Sequence, residues 1–201
     1  MTTKTKTTIS ILAALVMGGL LMFAAATPQV IPSPSLTLTF TDNSTNEDGF
    51  KIERGASASG PFSQLPATLA PNVTTHVDTP LLDAATFCYR VRAFNTGGDS
   101  AYSNIACSTT NATLTVTKSG NGIVTGGPIN CGPTCAVLVS ANTVVTLSAV
   151  PAVGFRFAGW TGSCTGTSDC SVTMDGRRDI TATFTALPQA PAAPTGLGVG
   201  P

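Results

Sequence analysis

The sequence predicts an all-β chain, and three observations carry that expectation. Among 201 residues there are 33 Thr, 16 Ser, 20 Gly and 14 Pro, a composition in which β-branched segments are divided by turn formers. Apolar and polar side chains alternate in short runs bounded by Gly, Pro, Asn and Asp. No stretch shows the 3.6-residue period of an amphipathic helix. Thr is assigned to outward strand positions, Gly and Pro to turns.

The elements follow in order. Lys4 and Lys6 precede an uncharged apolar run, 9–23, and then Ala24, Ala25 and Ala26, small residues of the kind signal peptidase accepts. Residues 1–26 therefore read as a secretory signal peptide. The competing reading is a retained anchor, because 7–26 approaches the roughly 20 residues of a spanning helix. No Cys follows the run, which disfavours a lipid anchor. Residues 27–35 hold three prolines and read as an extended linker. Runs at 36–41, 50–54, 74–77, 87–94 and 104–108 have the spacing of a β-sandwich. A second series runs through 112–118, 123–125, 136–140, 143–149, 155–160, 171–174 and 180–185. The boundary between the series lies near 109–112, giving domains at 36–110 and 111–186, with 187–201 as a linker and the start of a possible further domain.

Charge narrows function before any motif does. Ten basic and ten acidic side chains, 10% of the chain in charged residues, give no lean towards nucleic acid or an anionic membrane. With residues 1–26 removed, two of the basic groups go and the balance becomes 8 against 10. Export sends all six cysteines to an oxidising compartment and leaves no membrane association after cleavage; the expected location is secreted or cell surface.

Six cysteines allow 15 pairings, and strand register narrows them. Cys88 and Cys107 are equidistant from a turn centred between Gly97 and Gly98, so they are expected to face each other on adjacent strands. Cys131 with Cys135, and Cys164 with Cys170, are the short-range pairs that remain; exchange of partners between these two loops stays open. A zinc site built from the last four thiols is disfavoured, because one gap has five intervening residues and the chain is exported. No metal and no cofactor are expected.

Catalysis finds no constellation either. The single His76 sits on an alternating run with Ser and Thr neighbours and reads as an exposed strand histidine, since no G-x-S-x-G elbow accompanies it. Asp169, Asp175 and Asp179 flank the last hairpin without an evident cleft. In 42–49 oxygen ligands are dense, but Glu47 occupies the place where an EF-type calcium loop needs Gly, so these side chains read as caps on turn amides. Lys51 and Glu53 alternate outwards from Phe50 and Ile52, and Arg90 and Arg92 outwards from Tyr89, Val91 and Ala93. Opposite charges are expected to ladder across a solvated sheet face. Trp160, the sole Trp, is placed with Phe155 and Phe157 by strand alternation and assigned to the core. Tyr102 and Phe94 are the aromatic side chains left for exposure.

Both series resemble known modules. Thr39-Phe40-Thr41-Asp42-Asn43-Ser44, Asn46-Glu47-Asp48-Gly49-Phe50-Lys51-Ile52-Glu53-Arg54 and Tyr89-Arg90-Val91-Arg92-Ala93-Phe94-Asn95, followed by Gly98-Asp99-Ser100 and Tyr102-Ser103-Asn104, resemble a bacterial fibronectin type III domain. Phe40 stands where that family usually has Trp, and Phe87 stands at its tyrosine corner, so the corner hydroxyl bond is lost. The family's first strand should precede Leu36, yet only Val30 and Ile31 are available there. Pro191-Ala192-Ala193-Pro194-Thr195-Gly196-Leu197-Gly198-Val199 resembles the opening strand of another such domain. It implies a longer tandem protein, or else Leu197 and Val199 supply an edge strand to a neighbouring molecule.

In the second series, Thr113-Leu114-Thr115-Val116-Thr117, Cys131-Gly132-Pro133-Thr134-Cys135, Gly154-Phe155-Arg156-Phe157-Ala158-Gly159-Trp160-Thr161-Gly162-Ser163-Cys164 and Cys170-Ser171-Val172-Thr173-Met174 resemble the divergent internalin B-type repeat of bacterial surface proteins. That resemblance implies a small β-rich, grasp-like module without catalysis of its own. The expected function is a non-catalytic exported modular protein that spaces or binds, with an extracellular protein or polysaccharide as ligand. The alternative is an accessory region of a larger extracellular hydrolase. The oligomeric state is left open.

Overall fold

The computed structural model describes residues 12–17, 20–25, 32–130 and 134–191, together with 193, 195, 196 and 198. It divides into two compact units, 1–30 and 31–201. In the first, β1 (Leu12–Met17) and β2 (Leu20–Ala25) form an antiparallel hairpin with Leu12 opposite Ala25 and Met17 opposite Leu20. Lys4, Lys6 and Ala26 of the expected signal peptide lie outside the described residues.

The second unit holds the remaining strands and two apolar cores. Its first half comprises β3 (Leu36–Thr39), β4 (Gly49–Gly55), β5 (Phe62–Gln64), β6 (Thr75–Asp78), β7 (Thr86–Asn95), β8 (Gly98–Asp99) and β9 (Ala106–Thr109). Among the described residues β3 pairs with β6 alone, while β5, β4, β7 and β8 form the facing sheet, to which β9 adds along β7. Alternation on β4 sends Phe50 and Ile52 inward to meet Tyr89, Val91 and Leu65.

The last hairpin departs from the expected register in an instructive way. Asn95 pairs with Gly98, so the turn is centred between Thr96 and Gly97, one residue earlier than anticipated. Cys88 nevertheless faces Cys107. Residues 100–105 absorb the difference. Within them the Ser103 amide donates to the Val91 carbonyl at 2.8 Å and the Ser100 amide to the Ala93 carbonyl at 2.9 Å. The Ser103 and Ser100 hydroxyls accept from the Val91 and Ala93 amides, each at 3.0 Å. Side-chain oxygens thus stand in for ladder carbonyls, which is why strand structure resumes only at Ala106.

The second half comprises β10 (Ala112–Ser119), β11 (Gly122–Gly126), β12 (Ile129–Asn130), β13 (Thr134–Val139), β14 (Val144–Pro151), β15 (Phe155–Gly162), β16 (Cys170–Thr173) and β17 (Arg178–Ala186). One sheet has the order β13-β10-β17-β15 and the other β12-β11-β14-β16. β10 runs antiparallel to β13 but parallel to β17. The two sheets share one core, with Leu114, Leu147, Ile129, Ile180 and Met174 among its buried members. Gly120 sits between β10 and β11 at φ 81°, where a Cβ would come within 1.9 Å of the Phe184 carbonyl oxygen, so the turn excludes any larger residue.

Between the halves the chain is built into the structure. Thr110 is fully buried; its hydroxyl donates to the Leu82 carbonyl at 2.6 Å and accepts from the Ala85 amide at 3.0 Å. The Ala84 amide donates to the Asn111 carbonyl at 3.2 Å, and the Asp83 carboxylate accepts from the Thr113 amide. This corrects the assignment of Thr to outward positions: Thr110, Thr113 and Thr115 are all buried. β10 is an interior strand, the 83–85 loop closes over its start, and Arg177 reaches the Thr115 hydroxyl at 3.4 Å.

Candidate interaction surface

The outward charges of β4 and β7 do not form the solvated ladder expected of them. Register places Glu53 opposite Arg90 and Lys51 opposite Arg92, so the second pair is of like sign. Asp99 resolves the repulsion by accepting from Lys51 at 2.6 Å and from Arg92 at 2.9 Å. Glu53 is buried at 7% exposure. Arg90 grips one of its carboxylate oxygens through Nε at 2.9 Å and Nη2 at 2.6 Å, and the Tyr102 hydroxyl donates to the other at 2.5 Å. The Arg90 guanidinium lies between the rings of Tyr102, 3.8 Å from its centroid, and Phe62, 4.5 Å, a stacking that favours the cation. Tyr102 arrives from 49 residues away, so no local pattern points to it.

Burial works against ionisation of Glu53, but the hydrogen bonds from Tyr102 and Arg90 and the charges of Arg90 and Arg92 outweigh it and hold its carboxyl below the usual range. A lowered folded pKa contributes stability that is present above the unfolded value of 4.5 and is lost as pH falls through the folded value. Stability is therefore expected to decline below about pH 4.5. Glu53→Ala should cost about 2 kcal/mol near neutrality, less than a fully buried pair because both Arg partners keep some solvent contact. The same variant should flatten the acid limb. Urea titrations across pH check both; an unchanged midpoint at neutral pH would show that the cluster contributes nothing.

A second buried carboxylate ties the two sheets together. Asp78 on β6 accepts from the Tyr89 hydroxyl at 2.9 Å and from Arg54 at 2.8 Å. Burial, then the bond to Asp78, push the Tyr89 phenol well above its ordinary value. On the same strand, His76 is half-buried and Val77 is 51% exposed. This corrects the expected exposed histidine, because the register that buries Asp78 turns His76 inward with it.

The remaining candidate groups are engaged locally. Asp42 accepts from the Ser44 amide at 2.9 Å, an Asx turn. Asp169 accepts from Ser148 at 2.9 Å, Asp179 from Arg177 at 3.0 Å, and Asp175 pairs with Arg178. Among the described residues no three His, Cys, Asp or Glu side chains are grouped to hold a metal.

Cys88 and Cys107 are joined, with Cα atoms 4.0 Å apart, and so are Cys164 and Cys170, at 5.8 Å. Cys135 is also disulfide-bonded; Cys131, its expected partner, lies outside the described residues. Trp160 is 3% exposed but does not reach the core by simple alternation. Phe155 and Phe157 already occupy the inward phase, which would put Trp160 outside. A bulge between Phe157 and Gly159 shifts the register by one. It is made possible by Gly159 at φ 137°, and it brings the indole in against Phe157, 5.0 Å between centroids.

The first half also carries an open groove. Between β3 and β9 runs a groove of about 1130 Å³ lined by Leu36, Leu38, Phe40, Val91, Tyr102 and Cys107 among others. Leu36, Leu38 and Phe40 point into it and stay half-buried, and all four residues of β9 are exposed.

Comparison with known proteins gives one family. Residues 112–188 match the model of the divergent InlB B-repeat domain. No curated protein matches the chain. Among solved structures, the FN1–FN3 domains of chicken CNTN1 align at 15% identity with a TM-score of 0.35, over 77% of this chain and 64% of that one.

Proposed function

We propose that the chain is an exported, non-catalytic interaction protein. A fibronectin type III-like sandwich over 36–110 is followed by an internalin-type repeat over 111–186, and the two present binding surface at or beyond a bacterial cell envelope. The ligand is an extracellular protein or a polysaccharide. The repeat match over 112–188 supports this reading. The observation that carries it is how the polar groups are used: Glu53, Asp78, Asp99 and Asp179 each answer a cation or hydroxyl of the same module. The lowered carboxyl pKa values of Glu53, Asp99 and Asp179 thus follow from structural pairing rather than from a cleft prepared for chemistry. The disulfides suit an oxidising location. Purified chain applied to arrays of matrix proteins and bacterial and host glycans should give saturable binding to at least one class. Arrays that stay blank at high micromolar protein would overturn the reading.

A further inference from the structure

The groove beside β3 has the dimensions and lining of a place for one more strand. β3 is paired on one side only, by β6, so along its other edge the backbone is open among the described residues. Its inward side chains are half-buried, whereas Phe50, Ile52, Tyr89 and Val91 on the facing sheet are below 10% exposure. At about 1130 Å³ the groove exceeds the usual volume of a small-molecule pocket, and every residue of β3 lines it.

We propose that a second copy of this chain fills the groove, laying its residues 191–199 along the free edge of β3. In an extended strand Ala193, Thr195, Leu197 and Val199 share one face, and Pro194, Gly196 and Gly198 the other. One side thus carries Leu197 and Val199 beyond the smaller Ala193 and Thr195, and the other is nearly bare. Residues 187–201 carry no charge; neither does β3, and the cations lining the groove, Arg90 and Arg92, are already paired with Glu53 and Asp99. Residues 186–191, 193, 195, 196 and 198 are exposed, so their own copy does not cover them. Val30 and Ile31, the apolar residues just before β3, are adjacent and would face opposite sides, so that segment places only one of them inward.

Reach decides between the chain's own segment and a neighbour's. β10 starts at Ala112, beside the end of β9, and β17 runs parallel to it, with Thr183 level with Ser119 and Ala186 three residues beyond. Ala186 therefore lies about 33 Å from the near end of the groove at 3.3 Å per residue. Ten further residues, fully extended, only return to that point, leaving Leu197 at the mouth. A second copy meets no such limit. Donor and acceptor surfaces differ, so the contact is head-to-tail and builds rings or open chains by strand addition.

Sedimentation of the full chain should show weight-average mass rising at least about twofold across a hundredfold concentration range, as mass action requires of a modest interface. Leu197→Asp with Val199→Asp should stay monomeric. Chain carrying Thr37→Cys mixed with chain carrying Gly198→Cys should cross-link into dimers. Monomer at every concentration, a mass rise unchanged in the Asp variant, or a doubly substituted chain that closes only on itself would each overturn the proposal. None of these readouts depends on an external ligand, so a blank array leaves them untouched.

Discussion

Trp160→Ala should cost about 4 kcal/mol, the largest loss expected of any single side chain here. The indole is 3% exposed and packs edge-on against Phe157, which in turn lies 5.4 Å from Phe184. Its Nε1 donates to the Ser168 carbonyl at 2.8 Å, so truncation removes apolar contact, leaves a cavity and strips a carbonyl of its partner together. The loop 163–169 depends on the same contact, since the Trp160 amide also donates to the Gly166 carbonyl at 2.8 Å. Because the two apolar cores are separate clusters, the loss should fall on the second. Urea unfolding followed by far-ultraviolet circular dichroism should split into two steps in the variant, with 36–110 melting near its original midpoint. A loss below about 1 kcal/mol would mean that the ring is not a core member.

Replacing Cys88 and Cys107 together by Ala should cost about 3 kcal/mol. The bridge closes 19 residues, for which loop-closure entropy in the unfolded chain gives about that value. The Cys164–Cys170 bridge closes only 6 and should be worth about 2 kcal/mol on the same basis. The ordering also follows from position. β9 is wholly exposed and joins the sheet through only four opposed pairs, 86–89 with 106–109. It leads straight into Thr110, whose buried hydroxyl fastens the 82–85 loop. Loosening β9 therefore reaches the junction, whereas loosening 164–170 stays in one loop. Denaturant midpoints of the two double variants check the order, and equal midpoints would contradict it.

Much of the fold was legible because it is local. Alternation and turn residues located the strands near 50–54, 87–94, 112–118 and 155–160; Cys88 does face Cys107, but only because residues 100–105 make up for a turn centred one residue earlier than the symmetry argument assumed. What escaped depends on partners distant in sequence. Nothing beside Glu53 announces Tyr102, and nothing beside His76 says that Asp78 will be drawn inward by Tyr89 and Arg54. The bulge at Gly159 reverses the phase of one strand, and a single residue of register moves every later side chain to the other face. The burial of Thr113 depends on a loop contributed by the other half of the chain.

Export is the premise on which the disulfides and the proposed interaction role both depend. Mass spectrometry of the native protein recovered from culture medium and cell envelope, without reduction, tests it directly. The result expected is an amino terminus at Thr27 and a linked pair of peptides containing Cys88 and Cys107. A chain found in the cytosol with Met1 in place and free thiols at those two positions would contradict it.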